Sequence, residues 1–313
     1  MADQRPEGWS NHAKIYEKYT RYITGLFSHE ALVVTGLLPP SKPAQKLKIL
    51  DTATGTGILP LQIVEEYTKA GLLEDLEIVA TDFAEGMIEL LEKRIAEKGY
   101  GGVIKTEVMD AQNLTFPDAT FTHAYMIFGI FFIPDPVKAL RELHRTLLPG
   151  GNAALTSWGA TDMFRLSAEV FRRLGGQGEN APKLSGGPYG HDWASASYIE
   201  GLCKQAGFSR TEGYENVERS VRFETHEELY VLMSDNPAIG EKFAKEEALR
   251  ERWKETMLEV MRVNKGWRPV LDDNVSGRRR QGIGMMRAKR RRIDKDVGDD
   301  GGEDHGEEGP WSR

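Results

Sequence analysis

Between an apolar stretch and an amphipathic one the chain reads Leu50-Asp51-Thr52-Ala53-Thr54-Gly55-Thr56-Gly57-Ile58, and no other segment limits the fold as tightly. Lys48–Leu50 has the composition of a strand. Leu59–Lys69 carries Leu61, Ile63, Val64 and Tyr67 at helical spacing. A turn of small residues between a strand and a helix lets backbone N–H groups approach a ligand closely, beside the positive end of the helix. Asp51, closing the strand, is placed to meet a ligand ammonium, directly or through water. A dinucleotide fingerprint would add a third glycine, but Gly55-Thr56-Gly57 runs on into Ile58-Leu59-Pro60. Taken alone, Gly55 and Gly57 also fit a tight turn that holds nothing.

The surrounding pattern narrows the choice. Strand-like runs at Glu77–Thr81, Val103–Met109, Phe121–Ile127 and Asn152–Ser157 alternate with helix-like stretches over Ala84–Lys98 and Pro136–Leu148. That alternation predicts an α/β fold with a doubly wound, mostly parallel sheet. Ser195–Ala206 reads as a helix, Thr211–Val217 as a strand, and Val221–Glu224 as a late antiparallel strand paired with it. Thr225–Met233 starts a further helix. Trp9, Tyr16 and Tyr19 fall on a helix ahead of the sheet. The expected division is a helical lid over 1–44, a ligand-binding domain over 45–273, and a disordered charged tail over 274–313. Gly282–Ala288 is the one part of that tail apolar enough to add a late strand.

Three acids close three successive strands: Asp51, Asp82 and Asp110. At the carboxyl ends of parallel strands such side chains converge on one crevice. Asp82 is suited to both hydroxyls of a ribose, Asp110 to an exocyclic amine. Phe83 is suited to an aromatic base face, with Met87 one helical turn beyond. A single strand-end Asp is more often a helix cap; three in register after a Gly-rich turn favour a nucleoside-like ligand.

These residues carry a resemblance. The chain resembles the class I S-adenosylmethionine-dependent methyltransferases of the type 11 or ubiquinone-methyltransferase-like group, over roughly residues 45–215. The family's Asp/Glu-x-Gly-x-Gly-x-Gly motif maps onto Asp51–Gly57, its ribose acid onto Asp82, its adenine-side acid onto Asp110, and its Leu-x-Pro-Gly-Gly turn onto Leu147–Gly151. Ala53 departs from the family's first glycine, and Thr122 stands where the family often has Asp. The resemblance implies a Rossmann-like fold with S-adenosyl-L-methionine as cofactor, held by Asp51, Thr52, Gly55, Gly57, Asp82, Phe83, Met87, Asp110 and Ala111. It further implies that Ile127 and Phe128 line the methionine end, and that Tyr19 on a closing N-terminal helix reaches the cofactor carboxylate. Core packing explains Ile127, Phe128 and the helix aromatics as well.

The acceptor is less legible. In-line methyl transfer needs positioning, and a general base only when the acceptor is protonated. His191, past the Gly-rich segment 175–190, is the candidate base, with a surface or structural role as the alternative. Trp158, Phe164 and Trp193 are candidate acceptor-pocket aromatics, with core packing as the alternative. After the fourth strand Phe128-Gly129-Ile130-Phe131 replaces the Asn/Asp-Pro-Pro-aromatic tetrapeptide of nucleobase amino methyltransferases. A small, fairly apolar acceptor is expected, in secondary metabolism for instance.

Charge and cysteine content set outer bounds. The net charge is −7, and the 10 basic and 10 acidic residues from Asp272 onward leave all of it on the body. Nucleic acid rewards the opposite sign, so it is not an expected partner. Cys203 is the single cysteine, which excludes an internal disulfide or a thiolate metal cluster, and no metal is expected. No apolar leader or span of about 18 apolar residues occurs, so no membrane partner is expected and a cytoplasmic location is. The basic clusters Arg278–Arg280 and Lys289–Arg292 resemble a nuclear import signal. They keep open a nuclear methyltransferase acting on protein or RNA, and a non-catalytic nucleoside-binding regulator is a separate alternative.

Overall fold

The computed structural model describes residues 5–174, 193, 195–219, 225–234, 247–263 and 281–289. Five strands run parallel: β1 (Leu47–Thr52), β2 (Leu76–Asp82), β3 (Ile104–Val108), β4 (Phe121–Ile127) and β5 (Leu147–Thr161). With β6 (Arg210–Arg219) and β7 (Gln281–Lys289) they form a seven-stranded sheet in the order β3-β2-β1-β4-β5-β7-β6. The chain builds outward through β2 and β3, then returns to the other side of β1 for β4. The crevice therefore opens at the carboxyl ends of β1 and β4, where the strand order reverses.

β1 and β2 are buried along nearly their whole length, as the near-continuous apolar runs of a two-sided sheet require. One core layer packs α2 (Ile58–Lys69) and α3 (Glu85–Lys98) on the sheet through Ile49, Leu59, Ile63, Val64, Ile78 and Leu91. The opposite layer gathers Leu50, Met126 and Leu155 with Leu140 and Leu143 of α4 (Pro136–Thr146), Leu166 of α5 (Asp162–Arg173) and Ile199 of α6 (Ala196–Gln205). Local chemistry marks the starts of these helices. Pro136 opens α4 behind Asp135, whose side chain accepts from the Lys138 N–H, and Ser195 caps α6 by accepting from Tyr198 N–H.

The N-terminal α1 (Pro6–Val34) lies across the carboxyl edge of the sheet. Trp9, Ala13 and Tyr16 pack toward Phe83, Ala84 and Met87 at the start of α3, while Phe27 reaches Phe128 beyond β4. Thr35, just past the helix, shares a 2.5 Å hydrogen bond with the Tyr125 hydroxyl of β4. Thr122 ties β4 to β1: its hydroxyl donates to the Lys48 carbonyl and accepts from the Lys48 N–H. Its role is in strand packing.

Three expectations need amendment. The late antiparallel strand exists, but as β7, which pairs antiparallel with β5 on one side and β6 on the other. The sheet thus runs past residue 273, where the sequence pattern stops being periodic; Val221–Glu224 lies outside the described residues. Helix α5 was not anticipated, nor was α8 (Glu247–Val263), following α7 (His226–Ser234). In α8, Trp253, Met257, Val260 and Met261 form a buried stripe at helical spacing that was readable in the sequence.

An internal strand hydrogen-bonds on both edges, so losing β7 exposes two unpaired edges at once. Truncation before Gly277 is expected to lower the melting temperature by about 10 °C or more, or to leave the protein insoluble. Truncation after Ile293, which keeps β7, is expected to leave the melting curve unchanged by differential scanning calorimetry.

Candidate cofactor site

The turn after β1 is built from left-handed residues. Ala53, Gly55 and Gly57 have φ of 51°, 57° and 80°. Gly57 opens α2 and donates its N–H to Thr54, while Thr54 N–H crosses to the Thr81 carbonyl of β2. A Cβ on Gly57 would sit 2.1 Å from Leu91 Cδ1, so α3 packs against the bare backbone there. Ala53, in place of the glycine the family motif carries, bears the strain of a left-handed L-residue. It is accommodated because Gly129 faces it: a Cβ on Gly129 would lie 2.6 Å from that of Ala53.

The two acids nearest the turn are buried. Asp51 is 2% exposed; its Oδ2 accepts from the Thr54 hydroxyl at 2.5 Å, and its Oδ1 has no hydrogen-bond partner. Burial pushes its pKa up to about 7, the Thr54 bond opposing and the Asp82 charge adding. Asp82 Oδ2 accepts from Gly55 N–H at 2.8 Å and Oδ1 from Ala84 N–H at 3.0 Å. Burial raises Asp82 to about 6 against these backbone donors. Asp110 differs: it is exposed, and accepts from both the backbone and the side-chain nitrogens of Gln112. An orphaned buried carboxylate oxygen beside a Gly-rich turn suits a ligand ammonium, since a lone buried acceptor is costly until it is met.

The remaining expected residues divide. Thr52 spends its hydroxyl on the Tyr125 carbonyl and joins β1 to β4. Phe83 is half-buried, and Met87 and Ala111 are buried. Met87 packs in the same cluster as Trp9 and Ala13 of α1. Ile127 is half-buried at the end of β4. Phe128 takes a left-handed φ of 56°, and its N–H donates to the Thr156 hydroxyl. Its ring lies 4.3 Å from Trp158 and 5.7 Å, edge-on, from Phe27. Trp193 is a core residue beside Tyr198. Tyr19 is on α1 with its side chain outside the described residues, as is that of Phe164 on α5. His191 also lies outside them.

Two histidines are accounted for elsewhere. His123 Nδ1 contacts the Thr122 hydroxyl within β4, and His144 packs on Phe208. Cys203 is buried, its thiol pushed up to about 12, so it supplies no thiolate. Among the described residues no cluster of His, Cys, Asp and Glu could hold a metal, and no helix is long and apolar enough to cross a membrane.

Sequence reasoning missed the residues that seat α1 on the turn. Tyr16 stands over Gly55, with its Cε1 3.5 Å from where a Cβ would be. Burial raises its phenol above the usual range, and the Asp82, Glu17 and Asp51 charges add to that. Ser10, Glu17, Thr56 and Arg94 also join α1, the turn and α3. Glu17 and Arg94 are 77 positions apart, and no short-range pattern pairs them.

Known proteins resemble this chain over the segment that holds the turn. Residues 49–151 match a family described as a methyltransferase domain. A ubiquinone/menaquinone biosynthesis C-methyltransferase UbiE of Geobacter sulfurreducens is 34% identical over 124 residues, which is 40% of this chain and 46% of that protein. Methyltransferase tpcH of Aspergillus fumigatus is 28% identical over 163 residues, 51% of this chain and 55% of that protein. The chain thus spans about half the length of these relatives. The crystal structure of the cyclase SpnF superposes with a TM-score of 0.54 at 16% identity, covering 86% of this chain and 82% of that one, which shows a shared fold.

The raised acids have a signed consequence. An acid whose pKa is higher folded than unfolded contributes stability that is full below its unfolded value, near 4, and lost as pH rises through the folded one. Asp51→Asn is therefore expected to stabilise the ligand-free protein by about 1–3 kcal/mol at pH 8. The gain should vanish toward pH 4 in thermal melts. The same variant loses the charge that meets an ammonium, so S-adenosylmethionine affinity should drop by about tenfold or more. In the wild type that affinity should decline as pH falls below about 7.

Proposed function

We propose that the chain, whose residues 49–151 match a methyltransferase domain, is a class I S-adenosylmethionine-dependent methyltransferase that transfers the methyl group to a small, apolar acceptor. The observation that carries this reading is the pairing of the left-handed turn at 53–57 with two buried acids, one of which keeps an unmet oxygen. Asp51 is the partner for the amino-acid ammonium, and Asp82, anchored by Gly55 and Ala84, for the ribose hydroxyls. Phe83 and Met87 flank the base, and exposed Asp110 stands at the base's edge with Ala111.

The cofactor supplies a methyl carbon already activated on a sulfonium. When bound, it would give that methyl carbon to the acceptor's nucleophilic atom and leave as S-adenosylhomocysteine, an acceptor proton, where there is one, passing to solvent or base. What the chain contributes is placement and exclusion of water: α1 covers the turn, and Phe128, Trp158 and Phe27 present ring faces and edges beyond β4 and β5. Those apolar surfaces support an aromatic or extended unsaturated acceptor, such as a ring of secondary metabolism. His191 remains the candidate base. The relatives named above act, by their names, on quinones in one case and as a methyltransferase without a stated acceptor in the other.

A cytoplasmic site of action follows for such a substrate. The nuclear reading draws only on the basic clusters, and the second of these begins inside β7 at Lys289, a residue paired with Asn152 and Arg210. A non-catalytic regulator would keep cofactor affinity without turnover.

Methyl-labelled cofactor incubated separately with a small-molecule extract, total protein and total RNA distinguishes these readings. Label is expected in the organic extract alone. Label in protein or RNA overturns the acceptor class, and binding without transfer overturns catalysis. In the same assay Asp82→Ala is expected to weaken cofactor binding by about 1.5–3 kcal/mol, as a loss of charge-assisted hydrogen bonds, measured by calorimetry on the folded variant.

A further inference from the structure

Thr56, in the middle of the Gly-rich turn, is fully buried, and its hydroxyl and carbonyl meet partners outside the turn. Its hydroxyl donates to Glu17 Oε2 of α1. Its carbonyl accepts from Arg94 Nη1 of α3 at 2.6 Å, and the same nitrogen reaches Glu17 Oε2 at 3.2 Å. Three elements remote in sequence thus close on one residue. The Glu17 and Arg94 side chains are only 22% and 18% exposed. Such a pair is less screened than a surface ion pair, and losing one partner leaves the other poorly solvated.

A second contact holds the same helix about two turns earlier. Ser10 Oγ accepts from the Gly86 N–H at 3.0 Å, and a Cβ on Gly86 would approach Ser10 Cα to 2.9 Å, so α1 lies directly on the start of α3. Between the two contacts Ala13 and Tyr16 share the inward side of α1, with Tyr16 over Gly55. The helix that covers the crevice is therefore fastened to the very turn that cradles the cofactor. That turn contains left-handed residues, including Ala53, which persist only where surrounding contacts over-determine them.

We infer that Glu17 and Arg94 are positioning residues that clamp α1 to the Gly-rich turn through Thr56, and that this clamp sets the rate at which cofactor and its product leave the site. The inference rests on the cofactor reading above. Neither side chain touches the cofactor in this scheme. They act by holding the turn preorganised and the lid shut, so breaking the clamp speeds escape more than it slows arrival.

The test uses the full chain with S-adenosylhomocysteine as ligand and stopped-flow fluorescence as readout; Trp9, on α1 and 4.6 Å from Phe132, reports the lid. Glu17→Gln and Arg94→Met are each expected to raise the dissociation rate by about tenfold or more, with the association rate within about threefold of wild type. The double variant is expected to be no faster than the worse single one, since the residues act as a unit. Arg94→Lys, which keeps the charge but not the forked donor, should fall between wild type and Arg94→Met. Unchanged dissociation in both single variants overturns the inference. So does a fall in melting temperature with association and dissociation shifting together, the mark of a general structural role. Wild-type protein that binds no S-adenosylhomocysteine overturns the cofactor reading instead, and the clamp with it.

Discussion

The carboxylate of Asp82 accepts two backbone hydrogen bonds, and the architecture around the crevice depends on both. One comes from Gly55 and pulls the turn after β1 toward the end of β2; the other comes from Ala84 and sets the entry into α3. With these loops fixed, α2 and α3 start at the carboxyl ends of the neighbouring strands β1 and β2. Gly57 can then lie against Leu91, and Gly86 against Ser10, at distances no side chain would tolerate. The acid that would meet the ribose is thus also the part that shapes the pocket.

Burial of two carboxylates within one small crevice is costly, and the molecule shows how the cost is shared. Asp82 is compensated by backbone donors, which oppose the upward push of burial on its pKa. Asp51 has the Thr54 hydroxyl on one oxygen and nothing on the other. A site of this kind is less stable than it would be with neutral residues. It is poised for a cationic group that returns the missing interaction, the usual exchange of stability for function.

Much of this was legible in the residues themselves. The parallel sheet followed from apolar runs alternating with helical periodicity, and the places of Asp51 and Asp82 within the last two residues of their strands followed from where those runs stop. Ala53 and Gly129 show where legibility ended. Ala53 reads as a minor departure from a glycine motif, yet it is tolerated only because a glycine 76 positions later leaves room for its methyl group. Asp110 looked equivalent to the other two acids, but Gln112 occupies its carboxylate in an exposed loop.

By itself the sequence determined the fold class and the place of the turn with acids near it, because these depend on short-range patterns: periodicity, small residues and a polar group near a strand end. Tertiary structure alone decided three other things. It seated Gln281–Lys289 between β5 and β6, an internal place that the apolar run Gly282–Ala288 does not announce by itself. It set where the expected lid helix α1 rests on α3 and the turn, and it joined Glu17, Thr56 and Arg94 into one clamp. Each brings together segments tens to more than a hundred residues apart, and such contacts are specified by shape and charge complementarity across the folded chain, for which no local pattern exists.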